Sequence, residues 1–334
     1  EKIKQAIQIK KGDPISLNLL NKNLYWLNKN PFRHIDSIFA QSEQENQIDI
    51  ELLCKDRYPL RGYAGTDNTG NDVTGNNRLF AGFTWGNVFS TNQILSYQFT
   101  SSIDFKRLNI HTVSYDIPIN PWQHLINIFG GYSSVDADFF VPNIIDTKFR
   151  THGFSLQGSL RYTIPLNTGK QFLHEALCGF DFKRTNNNLD LGGVPIISNN
   201  NINLTQFQCA YNLGYQYNHW KISFEIEGFY SPGEWVADQT NADYQSLRAF
   251  SKHNYLYFRS ASSFVYTFDT KWKINNYLRA QLASCNLLPS EEFGLGGLST
   301  VRGYKERIVN GDDAFVWNFE LCTPPVSIYH NLGG

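Results

Sequence analysis

The chain has 334 residues, with 29 Lys and Arg against 30 Asp and Glu, a net charge of −1. So even a balance leaves no global electrostatic footprint for nucleic acid or an anionic membrane surface, and no run of about 18 apolar residues is present to cross a bilayer as a helix. Strands remain possible, because barrel strands alternate in polarity and average out as polar.

Aromatics make up 15% of the residues, and Met is absent even at position 1. The chain therefore reads as a fragment or a processed piece of something longer. The five cysteines (Cys54, Cys178, Cys209, Cys285, Cys322) are odd in number and lack C-x-x-C spacing, which argues against metal or redox chemistry. Cys178 and Cys209 sit in register with apolar neighbours and read as small hydrophobes. The eight histidines show no metal-ligand spacing. No cofactor and no metal are expected.

Residues 1–58 differ from the rest. Leu17, Leu20, Leu24 and Leu27 recur at the steps of an amphipathic helix, and Asn30-Pro31 ends it. Arg33–Ala40 and Gln47–Leu53 then read as two short strands joined by a polar turn, with Ile48, Ile50 and Leu52 alternating against Asp49 and Glu51. A helix and a hairpin look like the back half of a small α+β module.

From Tyr58-Pro59 onward the helical period gives way to alternation with period two. Trp220, Ile222, Phe224 and Ile226 alternate with Lys221, Ser223, Glu225 and Glu227. Phe207, Cys209, Tyr211 and Leu213 alternate with Gln206, Gln208, Ala210 and Asn212, and residues 154–164 repeat the pattern. Segments of about ten such residues match tilted strands crossing a bilayer, and their charged face suits a wet lumen. Strands are predicted near 59–67, 77–88, 92–103, 108–118, 123–134, 150–164, 171–184, 203–218, 220–230, 253–268, 271–284 and 312–322. Short turns are expected at Phe89–Thr91, Ile119–Trp122, Pro165–Lys170, His219 and Asp269-Thr270. Longer loops are expected at 68–76, 135–149, 185–202, 231–252 and 285–311, with 104–107 short on that side. Long loops at one end and short turns at the other belong to outer-membrane barrels.

The last of these loops holds Gly294-Leu295-Gly296-Gly297-Leu298-Ser299-Thr300-Val301-Arg302-Gly303-Tyr304. Its glycines permit tight folding and close backbone approach, and Arg302 is its one permanent, planar charge. The spacing does not fit a phosphate loop. Taken alone, the stretch fits an ordinary surface loop equally well. Glu291-Glu292 and Asp312-Asp313 are the only paired carboxylates singled out, and they read as loop solvation because neighbouring side chains point apart. No convergent catalytic set is visible, so an enzyme is not expected.

Val301-Arg302-Gly303-Tyr304, in an external loop of a barrel that follows a helix-hairpin module, resembles the TpsB transporters of two-partner secretion. These are of the haemolysin secretion/activation type, in the superfamily of barrels with periplasmic POTRA domains. Residues 12–28, Asn30-Pro31-Phe32 and Asp56-Arg57-Tyr58-Pro59 resemble the end of a POTRA domain and its junction with the barrel. Thr66–Gly70, Thr74-Gly75 and Arg78 resemble the first barrel hairpin, and Glu320-Leu321 with Pro324 the strand after the signature loop.

The resemblance implies an all-β fold: a transmembrane antiparallel β-barrel, residues 59–334, with about twelve of sixteen strands present. Residues 1–58 would be the C-terminal part of a POTRA domain in the periplasm of a Gram-negative bacterium. In the family the sixth external loop folds into the lumen, its arginine meeting an acidic residue on the wall. Gly296, Gly297, Val301, Arg302, Gly303 and Tyr304 take that part here, with Tyr304 expected to pack the loop against the wall. The acidic partner of Arg302 is expected on a later strand outside this chain. Without the missing strands the sheet would leave open edges in lipid, so the chain is expected to be internal to a longer protein. The implied partners are an unfolded secreted exoprotein and outer-membrane lipid, with no nucleotide and no nucleic acid. A POTRA-barrel factor that assembles other barrels is the alternative, and a simple porin would not need residues 1–58.

Overall fold

A computed structural model describes residue 3 and residues 6–325, apart from 45, 46, 72, 121, 141–147, 169, 170, 192, 193 and 198–200. Helix α1 runs Leu17–Leu27, opened by Ser16, whose hydroxyl accepts the Leu19 N–H at 3.4 Å. A serine there satisfies one of the N–H groups that a first turn leaves open. Asn28 closes the helix and ties it to the next strand, donating to the Ile35 carbonyl at 2.9 Å and accepting the Ile35 N–H at 2.7 Å. Leu20 and Leu27 are buried, but Leu17 is 61% exposed. It is the first residue of the helix, and Asn23 and Trp26 complete the buried face instead. Strands β1 (Arg33–Gln41) and β2 (Ile48–Asp56) pair antiparallel, and Ile35 packs against Trp26 and Leu27.

The strands that follow are β3 (Leu60–Asp67), β4 (Arg78–Val88), β5 (Gln93–Ser102), β6 (Leu108–Ile119), β7 (His124–Phe140) and β8 (Lys148–Thr168). Next come β9 (Phe172–Leu191), β10 (Val194–Ile197), β11 (Asn201–Tyr217), β12 (Trp220–Ser231), helix α2 (Asn241–Leu247), β13 (Tyr255–Thr267) and β14 (Lys273–Ala283). The short β15 (Phe293–Leu295) and β16 (Val309–Gly311) precede β17 (Ala314–Cys322). Twelve strands form one antiparallel meander in chain order from β3 to β17, with β10 beside β9, and β3 and β17 are its two edges among the described residues.

Four expected connections are partly strand: 135–149, 165–170, 185–202, and 285–311, which holds β15 and β16. Pairing in β7 continues to Phe140 and resumes in β8 at Lys148, β9 runs on to Leu191, and β8 passes Pro165 to reach Thr168. In β9 the backbone keeps finding a partner where side-chain alternation has faded, whereas the β7 extension, residues 135–139, still alternates. Residues 141–147, 169, 170, 192, 193 and 198–200 of those expected loops and turns lie outside the described residues, as do 326–334.

The register gives the sheet two unlike faces. Arg161, Asp181, Gln206, Glu227, Arg259 and Gln281 share one face. The other carries Leu160, Phe207, Phe224, Phe258, Leu282 and Trp317, all exposed. No described helix is long and apolar enough to cross a membrane.

The helix-hairpin module is docked on the end of the sheet that carries the short turns. Trp26 Nε1 donates to Asn120 at 3.0 Å, Lys29 pairs with Glu175 at 2.7 Å, and Asn30 Nδ2 donates to the Gly86 carbonyl at 2.9 Å. A Cβ on Gly86 would meet the Phe32 ring at 1.9 Å, so only glycine lets that ring lie on β4. The long loops lie at the opposite end.

Candidate functional site

At the long-loop end two connections fold back onto the polar face of the sheet. Helix α2 opens with a capping box between Thr240 and Asp243. It presents Tyr244, fully buried, whose hydroxyl donates to the Asn203 carbonyl at 3.1 Å. Leu287 and Leu288, just after β14, join Ile202, Leu204, Phe229, Tyr255 and Tyr257 in an apolar cluster with Tyr244. This core is inside the curve of the sheet, under the loops.

Glu291 follows and is 1% exposed. Its carboxylate pairs with Lys183 of β9 at 2.7 Å and accepts from Tyr257 of β13 at 2.8 Å, Ser290 at 2.9 Å and Gln206 of β11 at 3.3 Å. Its carbonyl accepts from Arg259 at 2.8 Å and Gln281 at 3.2 Å. Four wall strands thus converge on one loop residue. Arg248, at the end of α2, binds Asp312 through both terminal nitrogens at 2.6 and 2.8 Å and reaches Glu292 at 3.0 Å. Asp313 accepts the Ala283 N–H at 2.7 Å. These contacts correct the reading of both carboxylate pairs as loop solvation. Adjacent side chains do point apart, but each direction holds a partner from a distant part of the chain. Burial opposes ionisation of Asp312, yet the Arg248 bonds and the Leu287 N–H hold its carboxyl below the ordinary carboxylate range.

Beyond Glu292, β15 and β16 pair as a small hairpin, and the glycine-arginine stretch is its tip. Gly296 and Gly297 adopt φ of 108° and 86°, and Cβ atoms there would meet the Lys305 carbonyl at 2.2 Å and the Glu306 carboxylate at 2.0 Å. The left-handed backbone and the close approach both require glycine. Thr300 closes the turn, its hydroxyl accepting the Gly296 N–H at 2.8 Å and donating to the Gly296 carbonyl at 2.7 Å. Gly303 is also left-handed, at φ 89°, and the Gly297 N–H donates to the Tyr304 carbonyl at 3.1 Å.

The tip rests on the polar face of β14 and β17. Asn318 donates to the Thr300 carbonyl at 2.9 Å, and the Arg302 guanidinium pairs with Glu320. A cavity of about 160 Å³ separates tip and wall, lined by Tyr277, Arg279, Leu298, Ser299, Arg302, Val316, Asn318 and Glu320. The Arg302 partner was expected on a strand outside the chain. In the structure it is Glu320, 18 residues on, which the register of β17 turns to the same face as Asn318. Tyr304 is 64% exposed and Val301 39%, so the tip is held by polar bonds, and Tyr304 does not pack on the wall as expected.

At the other end, Asp56 binds Arg33 at 2.7 Å, and that bond holds its carboxyl below the ordinary range. The Arg57 N–H donates to the Phe32 carbonyl and the Pro59 carbonyl accepts the Gly86 N–H, each at 2.7 Å, while Tyr58 is 79% exposed. The four junction residues therefore link module and first strand mainly through backbone. Among the described residues no group of three or more His, Cys, Asp or Glu could hold a metal ion. The arrangement holds two long loops against the wall through paired charges and hydrogen bonds.

The family model of haemolysin secretion/activation protein ShlB/FhaC/HecB matches residues 46–332. Among curated proteins, the outer membrane transporter CdiB of Dickeya dadantii (strain 3937) is 22% identical over 332 residues, covering 95% of this chain and 55% of that protein. The solved CdiB from Escherichia coli superposes with a TM-score of 0.81 at 16% identity, covering 96% of this chain and 58% of that one. CdiB from Acinetobacter baumannii gives 0.73 at 17%, covering 96% and 57%. BamA from Haemophilus ducreyi lacking POTRA domains 1–3 gives 0.55 at 14%, covering 98% and 65%. The chain spans little more than half the length of the CdiB proteins it matches. These likenesses make the twelve-stranded sheet the wall of an outer-membrane type of β-barrel.

Proposed function

Because the chain belongs to the haemolysin secretion/activation family of ShlB, FhaC and HecB, we propose that it forms most of an outer-membrane pore that exports an unfolded partner exoprotein. In this reading residues 59–334 line the pore and residues 1–58 are the end of a POTRA domain facing the periplasm. The observation that carries it is the hairpin tip laid on the polar face of the wall, with Arg302 on Glu320. A pore that must admit an extended chain and otherwise stay narrow has a use for a loop held on its wall by one breakable ion pair. Gly296, Gly297 and Gly303 shape the tip, Val301 and Tyr304 flank the charge, and Arg302 pins it. Asp56, Arg57, Tyr58 and Pro59 carry the module to the pore mouth. Assembly of other barrels is a second reading, kept by the weaker likeness to BamA.

The test uses the full-length protein co-expressed with a candidate partner exoprotein from the same organism. Arg302→Ala should leave outer-membrane abundance unchanged and lower exoprotein in the medium at least tenfold, and pairing Arg302→Glu with Glu320→Arg should restore part of it. Undiminished export by Arg302→Ala at equal abundance would remove the loop from the mechanism. If deletion of the protein depleted many outer-membrane barrels instead, the assembly reading would replace the secretion one.

A further inference from the structure

Cys178 in β9 and Cys209 in β11 stand directly opposite each other in the ladder, their Sγ atoms 3.5 Å apart. Opposed residues of an antiparallel pair have Cα atoms roughly 4.5–5.5 Å apart, inside the roughly 4.4–6.8 Å that a disulfide spans. Side-chain rotation is then enough to close the remaining gap. The other three cysteines have no such mate: Cys54 faces Ile35 and Cys322 faces Lys273 in their ladders, and Cys285 lies beyond the end of β14. A separation of 31 residues without C-x-x-C spacing hides the pair in the sequence. Only the register of β9 on β11 brings it together.

We infer that Cys178 and Cys209 are joined as a disulfide in the mature protein. The oxidant is a disulfide-bearing thiol oxidase of the periplasm, an oxidising compartment. One cysteine thiolate attacks the oxidant's disulfide and forms a mixed disulfide, and the second displaces the oxidant's sulfur. Two S–H bonds give way to one S–S bond, and two electrons and two protons leave the chain to turn the oxidant into its dithiol. Both side chains are exposed on the apolar outer face, so the exchange takes place before lipid covers it, while thiolates can still form in water.

The bond has a consequence for the loop anchor. Asp181 and Gln206, three residues along β9 and back along β11, are also directly opposed. With Lys183 they form the wall that receives Glu291. A slip of one residue would turn these side chains to the outer face, and a covalent tie between Cys178 and Cys209 forbids it.

The experiment labels thiols in full-length protein purified from outer membranes. The protein is denatured with maleimide present, before and after reduction, and labelled peptides are read by mass. Cys178 and Cys209 should label only after reduction, and the unreduced digest should contain a cross-linked peptide joining them. In Cys178→Ala, Cys209 should label without reduction, and the reverse in Cys209→Ala. Full labelling of both cysteines in unreduced wild-type protein would overturn the inference, and so would a cross-link from either one to a different cysteine. The readout is independent of export, so it stands or falls apart from the pore assignment.

Discussion

Glu291 is the residue whose environment demands most explanation, since burying a carboxylate removes hydration that is worth several kcal/mol. Lys183 replaces it with opposite charge at 2.7 Å, and Tyr257, Ser290 and Gln206 occupy the remaining lone pairs. Removing one partner of such a buried pair costs about 3 kcal/mol or more. Lys183→Ala is therefore expected to leave the barrel inserted but loosen the loop, raising protease cleavage between 296 and 306 by roughly two orders of magnitude. Lys183→Arg, which keeps the charge, should stay near wild type. Cleavage rates on intact cells expressing each variant decide it, and no change in Lys183→Ala would mean that the loop is held elsewhere. None of this was legible in the sequence, because Lys183 and Glu291 are 108 residues apart and neither sits in a motif. The Arg302 stretch was legible because its glycines and its charge are contiguous. Its contact with Glu320 depends on which way β17 faces, which only the register decides.

Two long loops act as one element because Arg248 crosses between them, from the end of α2 to Asp312 and Glu292. The Asp312 carboxyl is held below its ordinary value, so its folded pKa lies below the unfolded one. The stabilisation is then fully present above the ordinary carboxylate pKa of about 4 and fades as pH falls through the lowered folded value. Protection of the 231–252 loop against an acid-stable protease should be flat from neutral pH to about 5 and decline below about 4. Asp312→Asn should be less protected at neutral pH and lose that decline, and an identical acid profile in both proteins would show that another group controls the loops. At this scale the strands themselves were readable, since alternation located all twelve to within a few residues of their observed cores. The extension of β9 was not, because polar stretches such as Asn186-Asn187-Asn188 show no apolar side to follow, while that of β7, residues 135–139, does alternate and its acidic residues suggested a loop. Outside a bilayer a strand needs only a neighbouring backbone, and residue types do not record that neighbour.

For the molecule as a whole, the decisive property is that its two faces meet different surroundings. Leu160, Phe224, Leu282 and Trp317 are 50%, 37%, 66% and 63% exposed on one side, far more apolar surface than a soluble sheet leaves uncovered. The opposite side carries Arg161, Glu227 and Arg259 and receives the loops. Adjacent positions on one strand can therefore report on the two environments separately. Phe224 and Ser223 are neighbours near the middle of β12, paired with Ser262 and Ser263, and alternation sends them to opposite faces. A lysine on the lipid face near mid-bilayer should cost about 2–4 kcal/mol, while one on the wet face should cost close to nothing. Phe224→Lys is thus expected to lower the denaturant midpoint of the barrel in lipid vesicles markedly, and Ser223→Lys to leave it almost unmoved. In short-chain detergent, which lets water and charge closer to the wall, the gap between the two should shrink. Equal costs in vesicles would mean that both faces see the same solvent, and the sheet could not then be the wall of a pore.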